Sequence, residues 1–458
     1  MKIGRYPKIK DTRSAAGQGN KAGRAQEGVT TKGEMLEAIL DIRNIYRALK
    51  QVCSNKGAGG VDGMQTDELR DFVSAHWLPF KEELLSGTYQ PDAVKRVEIP
   101  KANGGTRMLG IPTVKDRLIQ QAIAQWMSGL WEPDFHPNSY GFRPGKNAHQ
   151  AVHQAKEYLN AGKTYVVELD LAKFFDVVNH DKLIHLLSKR ITDKRILKLM
   201  GKYLRSGIMA DGVVSQRTAG TPQGSPLSPL LSNILLHELD VELTKRGLSF
   251  VRYADDCSIY VRSAKSAARV MAGTTKFIEE ALLLKVNREK SKVSKPMQST
   301  LLGFSFYKTK GSWRIRIAES ALKRMKAKLK SSLPRNAAQQ VDRRMVALKR
   351  VITGWVQYFQ IADLKSCCKK LDELLRSRVR KLFWQKWQKV KTRMRNLIKL
   401  GIPKWKSYQW ANTSKGASRT AHSPILLQSL NNDVLSAKGL PSFYKTYHYN
   451  VETQLKLF

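Results

Sequence analysis

Tyr253-Ala254-Asp255-Asp256 sets two adjacent carboxylates between the apolar runs Phe250–Tyr253 and Cys257–Val261. A hairpin there carries both acids at its turn. Adjacent carboxylates in mostly apolar surroundings repel each other and desolvate badly unless a cation joins them. A third acid, Asp170, closes the run Tyr165-Val166-Val167-Glu168-Leu169. An aspartate at the end of a buried strand is costly unless it is ligated or hydrogen-bonded. Brought together, such acids suit the joining of a 3′-hydroxyl to an α-phosphate. That reaction uses two divalent cations about 4 Å apart, and Mg²⁺ takes hard oxygen ligands from a few carboxylates and from substrate phosphates. Taken singly, each element has a plainer reading: a surface turn for Asp255-Asp256, a helix N-cap for Asp170.

Two further stretches could serve a nucleotide. Gly220-Thr221-Pro222-Gln223-Gly224-Ser225-Pro226-Leu227-Ser228-Pro229 reads as a tight loop before a helix, letting Gln223 and the loop backbone approach a ligand closely. Ile99-Pro100-Lys101-Ala102-Asn103-Gly104-Gly105-Thr106-Arg107 reads as a strand, a turn and a strand. Lys101 and Arg107 flank that turn, within reach of one triphosphate. The plain readings are a proline-rich loop with Ser228 as a cap, and two surface cations.

Positioning these residues requires an α+β body. Apolar spacing from Glu34 through Leu49 predicts one helix, and further helices are expected at about 67–85, 114–131, 182–205, 228–246 and 265–284. Strands are expected at Val94–Pro100, Thr106–Ile111, Tyr165–Asp170, on both sides of Ala254-Asp255-Asp256, and near Leu301–Tyr307 and Trp313–Ile317. Beyond about residue 320 only helical spacing remains: Met345, Leu348, Ile352, Trp355 and Phe359, then Leu364, Cys368, Leu371 and Leu375.

The chain has 458 residues with 80 Lys and Arg against 38 Asp and Glu, a formal charge of +42. So much like charge points to a polyanionic partner, nucleic acid first of all. Between Arg314 and Lys399 there are 25 basic and 5 acidic residues, with Trp355, Trp384 and Trp387 interleaved, which favours a nucleic-acid surface over a merely solvated face. Residues 1–33 read as a basic flexible tail. The four cysteines form no CxxC pair, so no zinc knuckle is encoded and a reducing compartment is expected. No apolar run is long enough to span a membrane, and there is no secretory signal.

The motifs together resemble group II intron-encoded reverse transcriptase/maturases of the bacterial, class C-like kind. The resemblance rests on Lys56–Gly63, Ile99–Arg107, Ser139-Tyr140-Gly141-Phe142-Arg143-Pro144-Gly145, Asp170–Asp176, Gly220–Pro229, Tyr253–Asp256, Asn287-Arg288-Glu289-Lys290-Ser291 and Leu302-Gly303-Phe304. It continues through Gly354–Phe359, Arg393–Leu397, Gly401-Ile402-Pro403 and Asn412–Gly416. It implies a right-hand polymerase: fingers over 34–160, palm over 161–313, an α-helical thumb/maturase domain over 314–392 and a basic nucleic-acid-binding segment over 393–458.

It also implies roles. Asp170, Asp255 and Asp256 would be catalytic and hold two Mg²⁺, with Mn²⁺ as a substitute. Lys101, Arg107, Phe175, Gln223 and Lys290 would bind the dNTP, with Phe175 excluding a 2′-hydroxyl. Tyr253, Ala254 and Arg143 would meet primer and template. The implied partners are the parent intron RNA, an RNA template with DNA primer, target DNA and dNTPs, in the bacterial cytoplasm and at the nucleoid during DNA insertion. Many such proteins end in an HNH endonuclease built on Cys pairs and His. None is encoded up to Phe458, so an existing 3′ end would have to serve as primer. An enzyme of this descent recruited to host repair or defence, or a splicing factor on an inactive polymerase, would fit the same fold.

Overall fold

The computed structural model describes residues 34–100, 105–210, 213–215, 219–334 and 340–455. The expected basic tail and Lys101 lie outside the described residues.

The N-terminal part runs α1 (Met35–Ile39), α2 (Ile42–Ser54), α3 (Leu69–Ser86), β1 (Val94–Pro100), β2 (Thr106–Ile111), α4 (Val114–Trp131) and α5 (Ala148–Asn160). The single helix expected from Glu34 is two. Asp41 leaves the helical backbone, and its carboxylate accepts from the Arg43 N–H to start α2. The next elements are β3 (Tyr165–Leu169), α6 (Phe174–Val177), α7 (His180–Ser188), α8 (Lys194–Arg205), β4 (Ile208–Ala210), β5 (Val213–Ser215) and α9 (Ser228–Lys245). Here again one expected helix, 182–205, is two. Asp193 caps α8 through Arg195 N–H and also accepts from Leu36 N–H, which ties this break to α1. Apolar spacing carries through both breaks; local capping chemistry decides them.

β6 (Ser249–Tyr253), β7 (Asp256–Val261), α10 (Ala264–Glu280) and β8 (Lys292–Ser294) complete a four-stranded sheet in the order β6-β7-β3-β8. Both faces of this sheet are covered, as the period-two alternation requires. Val167, Leu169, Phe250, Cys257 and Ile259 enter one core with α1–α4 and α7–α10. Val166, Val251 and Tyr260 enter a second core with α5 and the C-terminal helices. A second sheet, in the order β2-β1-β4-β5, joins the β1–β2 hairpin to β4 in parallel. β4 and β5 have three residues each, too short for a sequence pattern to reveal.

β9 (Phe304–Thr309) and β10 (Ser312–Ile317) form a hairpin of their own. The expected palm–thumb boundary at 313/314 falls inside β10. Phe304, Phe306, Trp313 and Ile315 all enter the second core, so this hairpin packs with the helices that follow. Those are α11 (Glu319–Ser332), α12 (Val341–Phe359), α13 (Lys365–Lys386), α14 (Val390–Lys399), α15 (Lys404–Ala411), α16 (Ala417–Thr420), α17 (Pro424–Ser429), α18 (Asn432–Ala437) and α19 (Phe443–Leu455). Asp372 of α13, almost fully buried, accepts from Phe443 and Tyr444 N–H at 2.8 and 3.1 Å and so caps α19. The fold is thus α+β, a fingers-and-palm body followed by a helical thumb/maturase region.

Candidate active site

Pairing register brings the acids together. Leu169 of β3 faces Cys257 of β7, so the next residue along each path, Asp170 and Asp256, emerge side by side at the same end of the sheet. Tyr253 pairs with Asp256, leaving Ala254-Asp255 as a two-residue hairpin tip. Ala254 has φ 57°, where a glycine is usual, so the tip holds a strained alanine. Asp170 is fixed through its backbone: its N–H donates to Ser291 Oγ at 3.0 Å, and its carbonyl accepts from Asn287 N–H at 2.8 Å. Lys290 Nζ stands 3.6 Å from Asp170 Oδ2.

Asp170 and Asp256 line one cavity of about 340 Å³ with Glu168, Lys290 and Arg324. The Asp256 carboxyl is pushed up to about 6, by crowding that strips water from it and then by the charges of Asp255 and Asp170. Asp256 is nonetheless an exposed residue at the end of the sheet. Among the described residues, no three His, Cys, Asp or Glu side chains are gathered as a closed metal cage. A hard divalent cation fits this open oxygen set, since Mg²⁺ keeps most of its coordination for water and substrate phosphate.

The hairpin tip is anchored from below by residues the sequence reading did not single out. Arg252 and Asp240 are both 0% exposed and form a two-pronged ion pair at 2.6 and 2.7 Å. Arg252 Nη1 also donates to Asn233 Oδ1 and to the Ala254 carbonyl, each at 3.0 Å. Asn233 and Asp240 lie seven apart on α9, hence on one face. The available signal was an arginine inside an otherwise apolar strand.

The same helix carries the glycine-rich loop at its N-terminus. Gly220 (φ 87°) lies so close to Phe175 and Asp176 that a Cβ would stand 2.7 Å from the Phe175 carbonyl. Thr221 N–H donates to that carbonyl at 2.6 Å. Gly224 (φ 121°) crosses the Gly110 carbonyl of β2 just as closely, and Gly110 N–H donates to Gln223 O at 2.9 Å. The glycines therefore allow the loop to dock between α6 and β2. Phe175 and Gln223 line a cavity of about 440 Å³ with Leu109, Arg117 and Phe142. Ser228 does not cap α9; its hydroxyl donates to Pro222 O at 2.8 Å, inside the loop.

Residues 99–306 match the family described as reverse transcriptase (RNA-dependent DNA polymerase), and residues 322–401 match the group II intron maturase-specific domain. The protein YkfC of Escherichia coli (strain K12) is 34% identical over 299 residues, spanning 57% of this chain and 78% of YkfC. This chain belongs to the group II intron-encoded reverse transcriptase/maturase family. The group II intron-encoded protein LtrA of Lactococcus lactis subsp. cremoris is 37% identical over 208 residues, which cover 45% of this chain and 34% of LtrA. The retron Mx65 reverse transcriptase of Myxococcus xanthus is 28% identical over 209 residues, covering 43% of this chain and 47% of that protein. The chain thus spans most of YkfC but about a third of LtrA. Reverse transcriptases of this family use divalent metal ions. The maturase match runs from α11 through α14, across the expected boundary at 392/393, which cuts α14.

The sequence-expected residues of this reverse transcriptase separate into three groups. Asp170, Asp255, Asp256 and Lys290 gather at the end of the palm sheet, with Tyr253 and Ala254 in the hairpin that carries the two adjacent acids. Phe175 and Gln223 share a separate cavity. Arg107 pairs with Ile99 in the β1–β2 hairpin through its backbone, and its side chain lies outside the described residues.

Arg143 corrects its expected role. Its guanidinium is almost fully buried and donates to Glu132 Oε1, Glu132 O, His136 O and Ser139 O. Every N–H is committed, so it braces the 132–143 segment and has no donor left for a primer or template phosphate.

That segment explains Gly141. Tyr140 N–H donates to Arg252 O at 2.8 Å, and Arg252 N–H to Asn138 O at 2.9 Å, which lays residues 138–141 beside β6. A Cβ on Gly141 would stand 2.3 Å from Ala254 N. Gly141→Ala must therefore displace the tip that carries Asp255. The expected result is a fall in DNA synthesis of about 10- to 100-fold, the scale of an ångström-level misplacement, with intron-RNA affinity retained. Parallel primer-extension and RNA-binding titrations check it.

Proposed function

We propose that this protein copies RNA into DNA, with Asp170, Asp255 and Asp256 as its metal-binding carboxylates, and that its helical half binds the parent group II intron RNA to assist splicing and insertion into target DNA by target-primed reverse transcription. The observation that carries the reading is Asp170 and Asp256 opening into one cavity, beside a hairpin tip that bears Asp255.

Two Mg²⁺ held there, with Mn²⁺ as substitute, would supply activation of the primer 3′-hydroxyl and charge neutralisation at the leaving pyrophosphate. The chain's own residues do the rest. Asp170, Asp255 and Asp256 provide the oxygen donors, and Ser291 and the Arg252–Asp240 pair hold their backbones in place. Phe175, on the wall of the cavity it shares with Gln223, would exclude a 2′-hydroxyl from beneath the sugar. Gln223 borders the same cavity and would contact sugar or base. Lys101 and Arg107 would hold the triphosphate, and Lys290 would follow the departing pyrophosphate. Tyr253 and Ala254 would face the primer end.

Fingers over 34–160, a palm ending near 300, a thumb/maturase unit from β9 onward and a C-terminal nucleic-acid-binding segment would divide the labour. The substrates would be an RNA template with DNA primer, dNTPs and target DNA. No helix among the described residues is long and apolar enough to cross a membrane, and we place the reaction in the bacterial cytoplasm and at the nucleoid.

A primer-extension assay tests the reading. A DNA primer on poly(rA) should be extended with Mg²⁺, stopped by a chelator and restored by Mg²⁺ or Mn²⁺. Absence of extension on RNA with Mg²⁺ and with Mn²⁺ would leave a splicing factor without polymerase activity.

A further inference from the structure

α15 turns two of its three aromatics outward and packs the third, Trp410, against the second core. Trp405 is 70% exposed and Tyr408 64% exposed. All nine tryptophans lie within the described residues, and the other eight are buried or partly buried. The orientation is forced. Ser407 and Ala411, one turn apart, are fully buried on the inner face, and Ser407 Oγ donates to Ile402 O at 3.1 Å. Three-residue spacing then puts Trp405 and Tyr408 together on the outer face. The helix is also held in place. It packs against α14, and Asn412 Nδ2 donates to Tyr408 O at 2.8 Å.

The stretch of chain that carries α15 is uniformly basic in sequence. From residue 374 to residue 432 there is no Asp or Glu, and there are 14 Lys and Arg. Lys404 and Lys406 flank Trp405, and among the described residues neither has an ion pair. Lys406 Nζ lies 4.7 Å from the centre of the Trp410 ring. A second copy of the chain would bring two such cationic surfaces together, which opposes association. A polyanion matches the charge. Exposed rings gain from a ligand that offers π faces, and a duplex keeps its π faces inside its own stack, whereas a single strand presents them.

We propose that α15 is a stacking platform for unpaired bases of a single-stranded nucleic acid, with Trp405 and Tyr408 against successive bases and Lys404 and Lys406 on the phosphates. This rests on reading the C-terminal helices as a nucleic-acid surface, and adds the strand state that the surface selects.

The test is fluorescence anisotropy of the full chain with labelled oligo(rU), oligo(dT) and a blunt duplex, over a range of salt. W405L/Y408L keeps apolar bulk but removes the rings. It should weaken single-strand binding by about tenfold or more, weaken duplex binding less than twofold, and leave the salt slope unchanged. W405F/Y408F should recover most of the affinity. K404A/K406A should flatten the single-strand salt slope by about 0.7 per charge removed. The difference between oligo(rU) and oligo(dT) tells whether RNA or DNA is the preferred strand. Parental single-strand affinity in W405L/Y408L, with a flattened slope in K404A/K406A, overturns the platform and leaves the basic surface standing. An unchanged slope in K404A/K406A removes the basic surface at this helix and the platform with it. A concentration-dependent dimer lost in W405L/Y408L would assign the face to a second copy and likewise overturn the proposal.

Discussion

Asp255→Ala is expected to abolish DNA synthesis, by about a thousandfold or more, while the folded protein and its grip on intron RNA persist. The size follows from the charge stabilisation that metal-binding carboxylates contribute to phosphoryl transfer, several kcal/mol, at about 1.4 kcal/mol per decade of rate. Persistence of the fold follows from electrostatics. Asp255 repels Asp256, which is one reason the Asp256 carboxyl is pushed up to about 6. Removing Asp255 relieves that repulsion, so thermal stability should stay level or rise. Intron binding should survive because the maturase-matching helices α11–α14 are held by the apolar second core, which the substitution leaves intact. Single-turnover primer extension, thermal melting and an intron-splicing assay on one preparation separate these claims. Synthesis within tenfold of the parent would remove Asp255 from the catalytic set.

Asp240→Ala is expected to cost about 3–5 kcal/mol of stability, the usual effect of leaving one member of a buried pair uncompensated. Arg252 would keep its charge with no exposure to water and lose both short bonds to the carboxylate. A small domain has only about 5–15 kcal/mol in total, so the variant should unfold at much lower denaturant. The exposed pair Arg96–Glu98 supplies the contrast. Glu98→Ala should change stability by less than about 1 kcal/mol. Denaturant midpoints for both variants make the comparison. A loss near that of Glu98→Ala would mean that Arg252 finds other partners and that the tip has a different anchor. Synthesis by surviving Asp240→Ala should fall too, since Arg252 holds the Ala254 carbonyl at the tip.

These two residues show different degrees of legibility. Asp255 was visible in the chain because its chemistry is local: two acids, two apolar flanks and a turn fit within twelve residues. Asp240 was not. It is one acid on a helix, and only its meeting with Arg252 gives it meaning. Arg143 marks the opposite error. A basic residue in a motif reads as a phosphate ligand, yet Glu132 and the His136 and Ser139 carbonyls take every donor it has.

Sequence by itself determined the classes of element, the helical character beyond residue 320, the family and the nucleic-acid class of partner, because periodicity, charge and short motifs are properties of neighbouring residues. Tertiary structure alone decided that Leu169 pairs with Cys257, that α9 joins the glycine-rich loop to the hairpin bearing Asp255, and that one sheet serves two cores. It also decided that β9–β10 packs with the thumb helices and that Trp405 faces outward. Those depend on which distant segments meet, and on which polar groups must find partners once water is excluded.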